Sequence, residues 1–354
     1  MAHTLIIGAG ITGASIAHEC ALRGDRVTIL TAHPTGGLAS AASFGWINAS
    51  FHLSEAHYAL RLAGMQAHRR LLDQLQGLPT VFPGCLWYED VGDAQAEAAR
   101  CLSSLGYPLQ RLTRAQIAAL VPALGPVPET ALLFPDEGAA NPAVLARALI
   151  AASGATVTQA TVTALTEAQG RVTGASTEAG AICADRTILA TGVGTPALLT
   201  PLGLTLPMLD RPGMILATQP LPPICPLILA TPTQELRQDT DGRLIAPASA
   251  NHQSDNSETL GGSFPALVSA TLDRLRGLFP KADIAYARHA MANRPVPGDG
   301  LPVAGPSRIA GLWIAVMHSG ATLAPAVAAM LAEEMQSGPQ SPLLAPFRPA
   351  RFDL

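Results

Sequence analysis

The residues with the most specific chemistry stand at the start of the chain. Gly8-Ala9-Gly10-Ile11-Thr12-Gly13 follows directly on the aliphatic run Thr4 to Ile7. At this spacing Gly10 lets the backbone approach a pyrophosphate, and Gly13 lets a helix pack closely on a strand. The unpaired N–H groups and the dipole of that helix then face the phosphates of a dinucleotide. Such a cradle requires three elements in order. Thr4 to Ile7 reads as a buried strand, Ala14 to Arg23 as a helix with Ile16, Ala17, Cys20 and Ala21 on one face, and Val27 to Leu30 as a second strand after a Gly24-Asp25 turn. The acid that ordinarily ends the second strand and holds the ribose hydroxyls is replaced by Thr31. With Arg23 and Arg26 close by, the motif alone leaves a 2′-phosphorylated dinucleotide open.

Composition narrows the function class. A chain of 354 residues is long enough for about two domains. Its 22 Lys+Arg against 26 Asp+Glu leave a net charge of −4 with no basic run, which argues against a nucleic-acid groove. Cys20, Cys85, Cys101, Cys183 and Cys225 are scattered, with no C-x-x-C pair, so neither a disulfide framework nor a zinc site is indicated. No cationic leader precedes Gly8, and no uninterrupted apolar stretch is long enough for a transmembrane segment. The expectation is a reduced, soluble, cytoplasmic protein.

A second segment, Gly36-Gly37-Leu38-Ala39-Ser40-Ala41-Ala42-Ser43-Phe44-Gly45-Trp46-Ile47-Asn48-Ala49, combines small residues with three large apolar ones that a solvent loop would not bury together. With the opening glycines it resembles the D-amino-acid oxidase superfamily of FAD-dependent oxidoreductases, whose members include glycine oxidase, sarcosine oxidase and D-amino-acid dehydrogenases. The resemblance implies that Ala39, Ser40, Ser43, Phe44, Gly45 and Trp46 pass along the ribityl chain and flavin ring, where bulkier side chains would displace the ring. Later stretches follow the family's order. Gly154 to Val162 and Gly170 to Ala175 are similar to a meander whose backbone at Val162 meets adenine. Ala190-Thr191-Gly192 resembles a strand that turns beside the cofactor. Asn293 to Pro306, with Gly305, and Gly311 to Pro325, with His318, Ser319, Gly320, Ala321, Thr322 and Leu323, match the C-terminal signature.

These matches imply FAD as the cofactor. Non-covalent attachment is expected, because Ala292 stands where covalent relatives carry a cysteine and no cysteine follows Cys225. A helix from Leu323 to Met335, with Pro325 in its first turn, would aim its N-terminus at the flavin N1–C2=O edge and stabilise the anion formed on reduction.

The implied fold class is α/β, α+β overall. A Rossmann-like FAD-binding domain of roughly residues 1–76, 140–206 and 288–354 is interleaved with a smaller mixed-sheet substrate domain of 77–139 and 207–287. In the second domain Thr80 to Tyr88 and Met214 to Thr218 read as strands, Arg237 to Ile245 as a hairpin around Asp241-Gly242, and Ala266 to Phe279 as an amphipathic helix. Leu221-Pro222-Pro223 and Pro342 to Pro349 read as loop and tail.

The implied reaction oxidises the C–N bond of an amino acid or related amine to an imine by hydride transfer to flavin N5. Oxygen or an electron-transfer partner would be the acceptor, and the protein supplies orientation and electrostatics. Glycine-oxidase-like relatives carry an arginine where this chain has His318-Ser319, and Phe51-His52 occupies the loop that holds the substrate arginine of sarcosine-oxidase-like relatives. Arg294 is therefore the candidate carboxylate anchor, with Arg237 or Arg211 behind it, and His318 and His52 are candidate substrate contacts. Two alternatives stay open: an FAD-carrying subunit of a multi-subunit amine or opine dehydrogenase, and a flavin-binding protein without catalysis of its own.

Overall fold

In the computed structural model, which describes residues 1–250 and 256–354, the chain builds two principal sheets. The first has six strands in the order Val303–Pro306, Leu312–Val316, Arg186–Leu189, His3–Ile7, Arg26–Thr31, Thr156–Gln159. All neighbours run parallel except the first pair. His3–Ile7 is buried along its whole length, as a central parallel strand covered on both faces must be. On one face lies the helix Ile11–Leu22, flanked by Pro142–Ser153 and Gly320–Ser337. Its Ala and Cys face sits in the main core with Ile6, Ile29 and Val327. The opposite face packs on the antiparallel meander Val162–Ala168, Arg171–Thr177, Gly180–Cys183 through Val172, Ala175 and Leu189.

The second sheet has eight strands, ordered Tyr286–Asn293, Pro212–Pro220, Arg243–Pro247, Glu235–Gln238, Ile228–Ala230, Cys85–Trp87, Thr130–Phe134, Gln110–Thr113. Only Ile228–Ala230 and Cys85–Trp87 pair in parallel. The helix Phe264–Leu278 covers one face with Leu272, Leu275 and Leu278. Trp46–Ile47, Gly138–Ala140 and Thr80–Val81 form a small separate sheet.

Several elements differ from the sequence reading. The run Thr80 to Tyr88 is two strands in different sheets, Thr80–Val81 and Cys85–Trp87, because Pro83-Gly84 breaks it. Residues 288–293, drawn with the cofactor domain above, belong to Tyr286–Asn293, which pairs antiparallel with Pro212–Pro220 at the edge of the eight-stranded sheet. Pro342 to Pro349 is not a loose tail. It forms the 3-10 turns Pro342–Phe347 and Pro349–Phe352, which bury Leu344 and Phe347 completely and pair Arg348 Nη2 with Glu334 Oε1 at 2.6 Å.

The last helix begins three residues before the predicted start, at Gly320, so Pro325 lies in its second turn. Proline has no N–H for the Ala321 carbonyl, the i−4 acceptor. The Nε2–H of buried His68 donates to that oxygen instead, at 2.7 Å. Among the described residues no helix is long and apolar enough to cross a membrane.

Candidate cofactor and substrate site

A cavity of about 830 Å³ is walled by both principal sheets. It opens at the C-terminal ends of the parallel strands, at Gly8, Thr31, Ala190 and Met317, the position at which open α/β sheets hold ligands. At one end Gly8, Ala9, Gly10, Ile11 and Thr12 line it, with Val162 and Ala190, Thr191 and Gly192. The helix Ile11–Leu22 has no side-chain cap, and its first backward bond is from Ala14 N–H to Gly10 O at 2.9 Å. The N–H of Ile11 donates to Ser40 Oγ at 3.0 Å, tying the glycine turn to the short helix Leu38–Ala41. Gly37 adopts φ +67, and a Cβ there would lie 2.7 Å from Gly10 Cα, so two bare backbones meet at the wall.

Further along, Ala39, Ser40, Ser43, Phe44, Gly45 and Trp46 form one side, and His318, Ser319, Gly320 and Ala321 form another at the N-terminus of Gly320–Ser337. Met214, Ala248, Met291, Ala292 and Arg294 close the cavity from the eight-stranded sheet. Arg294 is pinned by its own backbone N–H, which donates to Arg211 O at 2.8 Å, and by its Nε–H to the same oxygen at 3.3 Å.

Five predicted site residues do not reach this wall. Gly13 lies in the first turn of the first helix, where its Cβ position would be 2.0 Å from Gly8 O. Gly305 sits on the sheet's antiparallel edge strand against Arg348 and Pro349. Thr322 and Leu323 are fully buried, and the Thr322 hydroxyl donates to Trp46 O at 3.0 Å. His52 meets the Tyr58 ring edge-on, with centroids 5.2 Å apart, and has Nδ1 3.2 Å from Ala49 O, away from the cavity. Thr31 does line the cavity, but its hydroxyl donates to His33 O at 2.8 Å and closes its own turn. Neither arginine considered for a 2′-phosphate faces the cavity: Arg23 pairs with Glu19 and Arg26 lies exposed.

The substituting arginines are also placed elsewhere. Arg237 is 4% exposed; its Nε–H donates to Phe44 O at 2.7 Å and Nη2 to Ala140 O at 3.3 Å, with Asp239 alongside. It thus ties the 36–49 stretch at Phe44 O. Arg211 donates to Asp210 O at 2.9 Å and pairs with Glu258, off the wall.

Arg61 escaped the sequence reading altogether. It lies on the helix Glu55–Gln74, is 2% exposed and reaches the cavity wall. The pattern that could have revealed it is positional. Arg61 shares the buried face of that helix with His57, Gly64, Met65 and His68, where a charge has no solvent reason to be.

Beside Trp46, Glu137 is fully buried. Trp46 Nε1–H donates to it at 2.7 Å, Tyr107 O–H at 2.8 Å and Ser50 O–H as well. Burial pushes its carboxyl up to about 7, against the pull of these three donors.

The residues present suit FAD: bare glycine backbone and an uncapped helix end for the pyrophosphate, a small-residue wall for the ring, and a second helix N-terminus beside a buried arginine. Known proteins agree. The chain is 28% identical over 363 residues to glycine oxidase of Pseudomonas aeruginosa, covering 98% of both chains. It is 29% identical over 368 residues to the bifunctional protein ThiO/ThiG of Trichormus variabilis, covering 98% of this chain and 55% of that one. Its fold superposes on glycine oxidase from Bacillus cereus with a TM-score of 0.86 at 19% identity, covering 97% of each. Iminodiacetate oxidase from Chelativorans superposes with a TM-score of 0.83 at 24% identity, covering 98% of each. The family model for FAD-dependent oxidoreductases, DAO, matches residues 3–334, so the chain that builds this glycine-lined cavity belongs to the DAO family of FAD-dependent oxidoreductases.

Proposed function

We propose that this enzyme oxidises the C–N bond of an amino acid or closely related amine. The observation that carries the reading is one arginine, Arg294, on the cavity wall together with the apolar Met214, Ala248, Met291 and Ala292. When bound, FAD would supply the two-electron acceptor for oxidation at the carbon next to nitrogen. The amine becomes an imine, which water hydrolyses to a carbonyl compound and ammonia or an amine. Arg294 binds the substrate carboxylate and orients the C–H bond. The apolar wall excludes water from the ring, which strengthens both effects. The activities named for the relatives support the substrate class. All five cysteines are unpaired, in keeping with a reducing, cytoplasmic setting.

Anaerobic mixing with a panel of amino acids and N-methyl amino acids should bleach the flavin absorbance for at least one. No bleaching across the panel would overturn the reading in favour of a subunit that needs its partner or a binding protein. Arg294→Met should raise KM for carboxylate substrates about tenfold to hundredfold, with kcat changed little, because one charge-assisted contact is worth about 1.5–3 kcal/mol. Amines without a carboxylate should be unaffected.

We also infer that FAD is held without a covalent bond, since among the described residues no cysteine lines the cavity and Ala292 occupies the wall. Acid precipitation should leave a white pellet and a yellow supernatant. Colour retained in the pellet would contradict this.

A further inference from the structure

The turn at Ser319 is held in an unusual way. Ser319 is a non-glycine residue in the left-handed region, at φ 55 and ψ 25, directly before the first turn of Gly320–Ser337. Such a conformation persists only when its surroundings hold it. Here the helix Glu55–Gln74 grips the turn from one face. A Cβ on Gly64 would be 2.4 Å from Thr322 O, His68 bonds Ala321 O, and Arg61 Nη1–H donates to Ser319 Oγ at 2.9 Å. Arg61 also donates from Nε to Asn48 O at 2.9 Å and from Nη2 to Asn48 Oδ1. One guanidinium thus ties the end of the flavin segment to the N-terminus of the last helix.

All of these acceptors are neutral. Among the described residues Arg61 forms no ion pair, although it is 2% exposed. The buried acid Glu137, whose charge acts on Arg61 when it is ionised, makes no bond to it and is engaged instead by Trp46, Ser50 and Tyr107. A buried cation whose hydrogen bonds all go to neutral acceptors is costly, and native proteins keep such conflicts where a ligand resolves them. Burial lowers the Arg61 guanidinium to about 10, which still leaves it fully charged at neutral pH.

We propose that Arg61 is a positioning residue for cofactor reduction: through Ser319 and the helix N-terminus it supplies the fixed positive charge that answers the negative charge reduction leaves on the flavin. An interaction stronger with the charged than with the neutral ring favours the reduced cofactor selectively. The proposal rests on FAD occupying the cavity.

Arg61→Met, Arg61→Lys and the parent holoenzyme test it by midpoint potential and by FAD titration in both oxidation states. Arg61→Met should bind oxidised FAD much as the parent does but reduced FAD at least tenfold more weakly, which lowers the two-electron potential by about 30 mV or more. Arg61→Lys, which keeps the charge, should recover most of the difference. In the parent, reduced FAD should stay deprotonated below the pH at which free reduced FAD takes up its proton. A yellow Arg61→Met protein with the parent's potential would overturn the inference and leave the family reading intact. So would a parent whose reduced FAD protonates as free FAD does, and that measurement decides if the variant does not fold. A parent that holds no FAD would overturn both.

Discussion

Gly13→Ala should purify colourless, with FAD affinity weakened at least a hundredfold. The Cβ of any residue there would lie 2.0 Å from Gly8 O, 3.1 Å from Gly8 C and 3.3 Å from Ile6 Cγ2. Nothing in that contact yields easily. The oxygen belongs to backbone, and Gly8 is itself wedged at φ +112, where a Cβ would be 2.4 Å from Ala190 O. Relief requires the helix Ile11–Leu22 to lift from its strand, which moves the uncapped N–H groups away from the phosphates. Overpacking of this kind costs about 3 kcal/mol, and each 1.4 kcal/mol is about tenfold in affinity. Gly277→Ala is the control, because nothing lies within 4 Å of its added Cβ on an exposed helix surface. FAD titration of both variants decides the matter; a yellow Gly13→Ala protein with parental affinity would show that the turn can relax.

Acidification should destabilise the fold by about 2 kcal/mol between pH 6.5 and 5, and by about twice that in Glu137→Gln. His57 and His68 are 5% and 1% exposed on the helix Glu55–Gln74. Burial pulls His57 down to about 3, with Arg61 and His52 adding to the effect. Burial pulls His68 down to about 4, against the bond to Ala321 O. Both rings fold neutral, and Leu53 N–H donates to His57 Nδ1 at 3.2 Å. In the unfolded chain they protonate near 6.5, so their contribution is complete above that pH and falls by about 1.4 kcal/mol per unit for each ring below it.

His3 and His18 shift in the same direction, chiefly through burial. Glu137 has the opposite sign. Raised from 4.5 to about 7, it contributes most below pH 4.5 and loses that contribution as the pH rises through 7. From pH 6.5 to 5 it therefore returns about 2 of the roughly 4 kcal/mol that the two rings lose, and glutamine at 137 removes this return. Denaturant titrations of FAD-saturated protein across this range would test both slopes. A flat profile in Glu137→Gln would refute the assignment.

The glycine turn, its flanking strands, the FAD family and most of the cavity wall were legible in the residues. These features are set by neighbours close in the chain: a turn that tolerates no Cβ, a strand buried on both faces, a small-residue segment that must pass beside a ring. The antiparallel hairpin Glu235–Gln238 to Arg243–Pro247 was readable for the same reason, through its Asp-Gly turn. Distant packing carried no such mark. Tyr286–Asn293 and Arg186–Leu189 are both extended, and only the partner strand decides which sheet each joins. The Pro-rich end looked like a tail until Leu344 and Phe347 met the core.

By itself the amino-acid order marked the places where backbone must stay bare, because that demand acts within a few residues, and its resemblance to one family along nearly the whole chain implied the cofactor class. Only the tertiary structure decided which charges face the cavity. Arg237 and His52 turn away, Arg294 stays on the wall, and Arg61 arrives from a helix the local reading had no reason to consult. A guanidinium's role depends on the carbonyls and hydroxyls that surround it, and folding brings those from positions as far apart as Asn48 and Ser319.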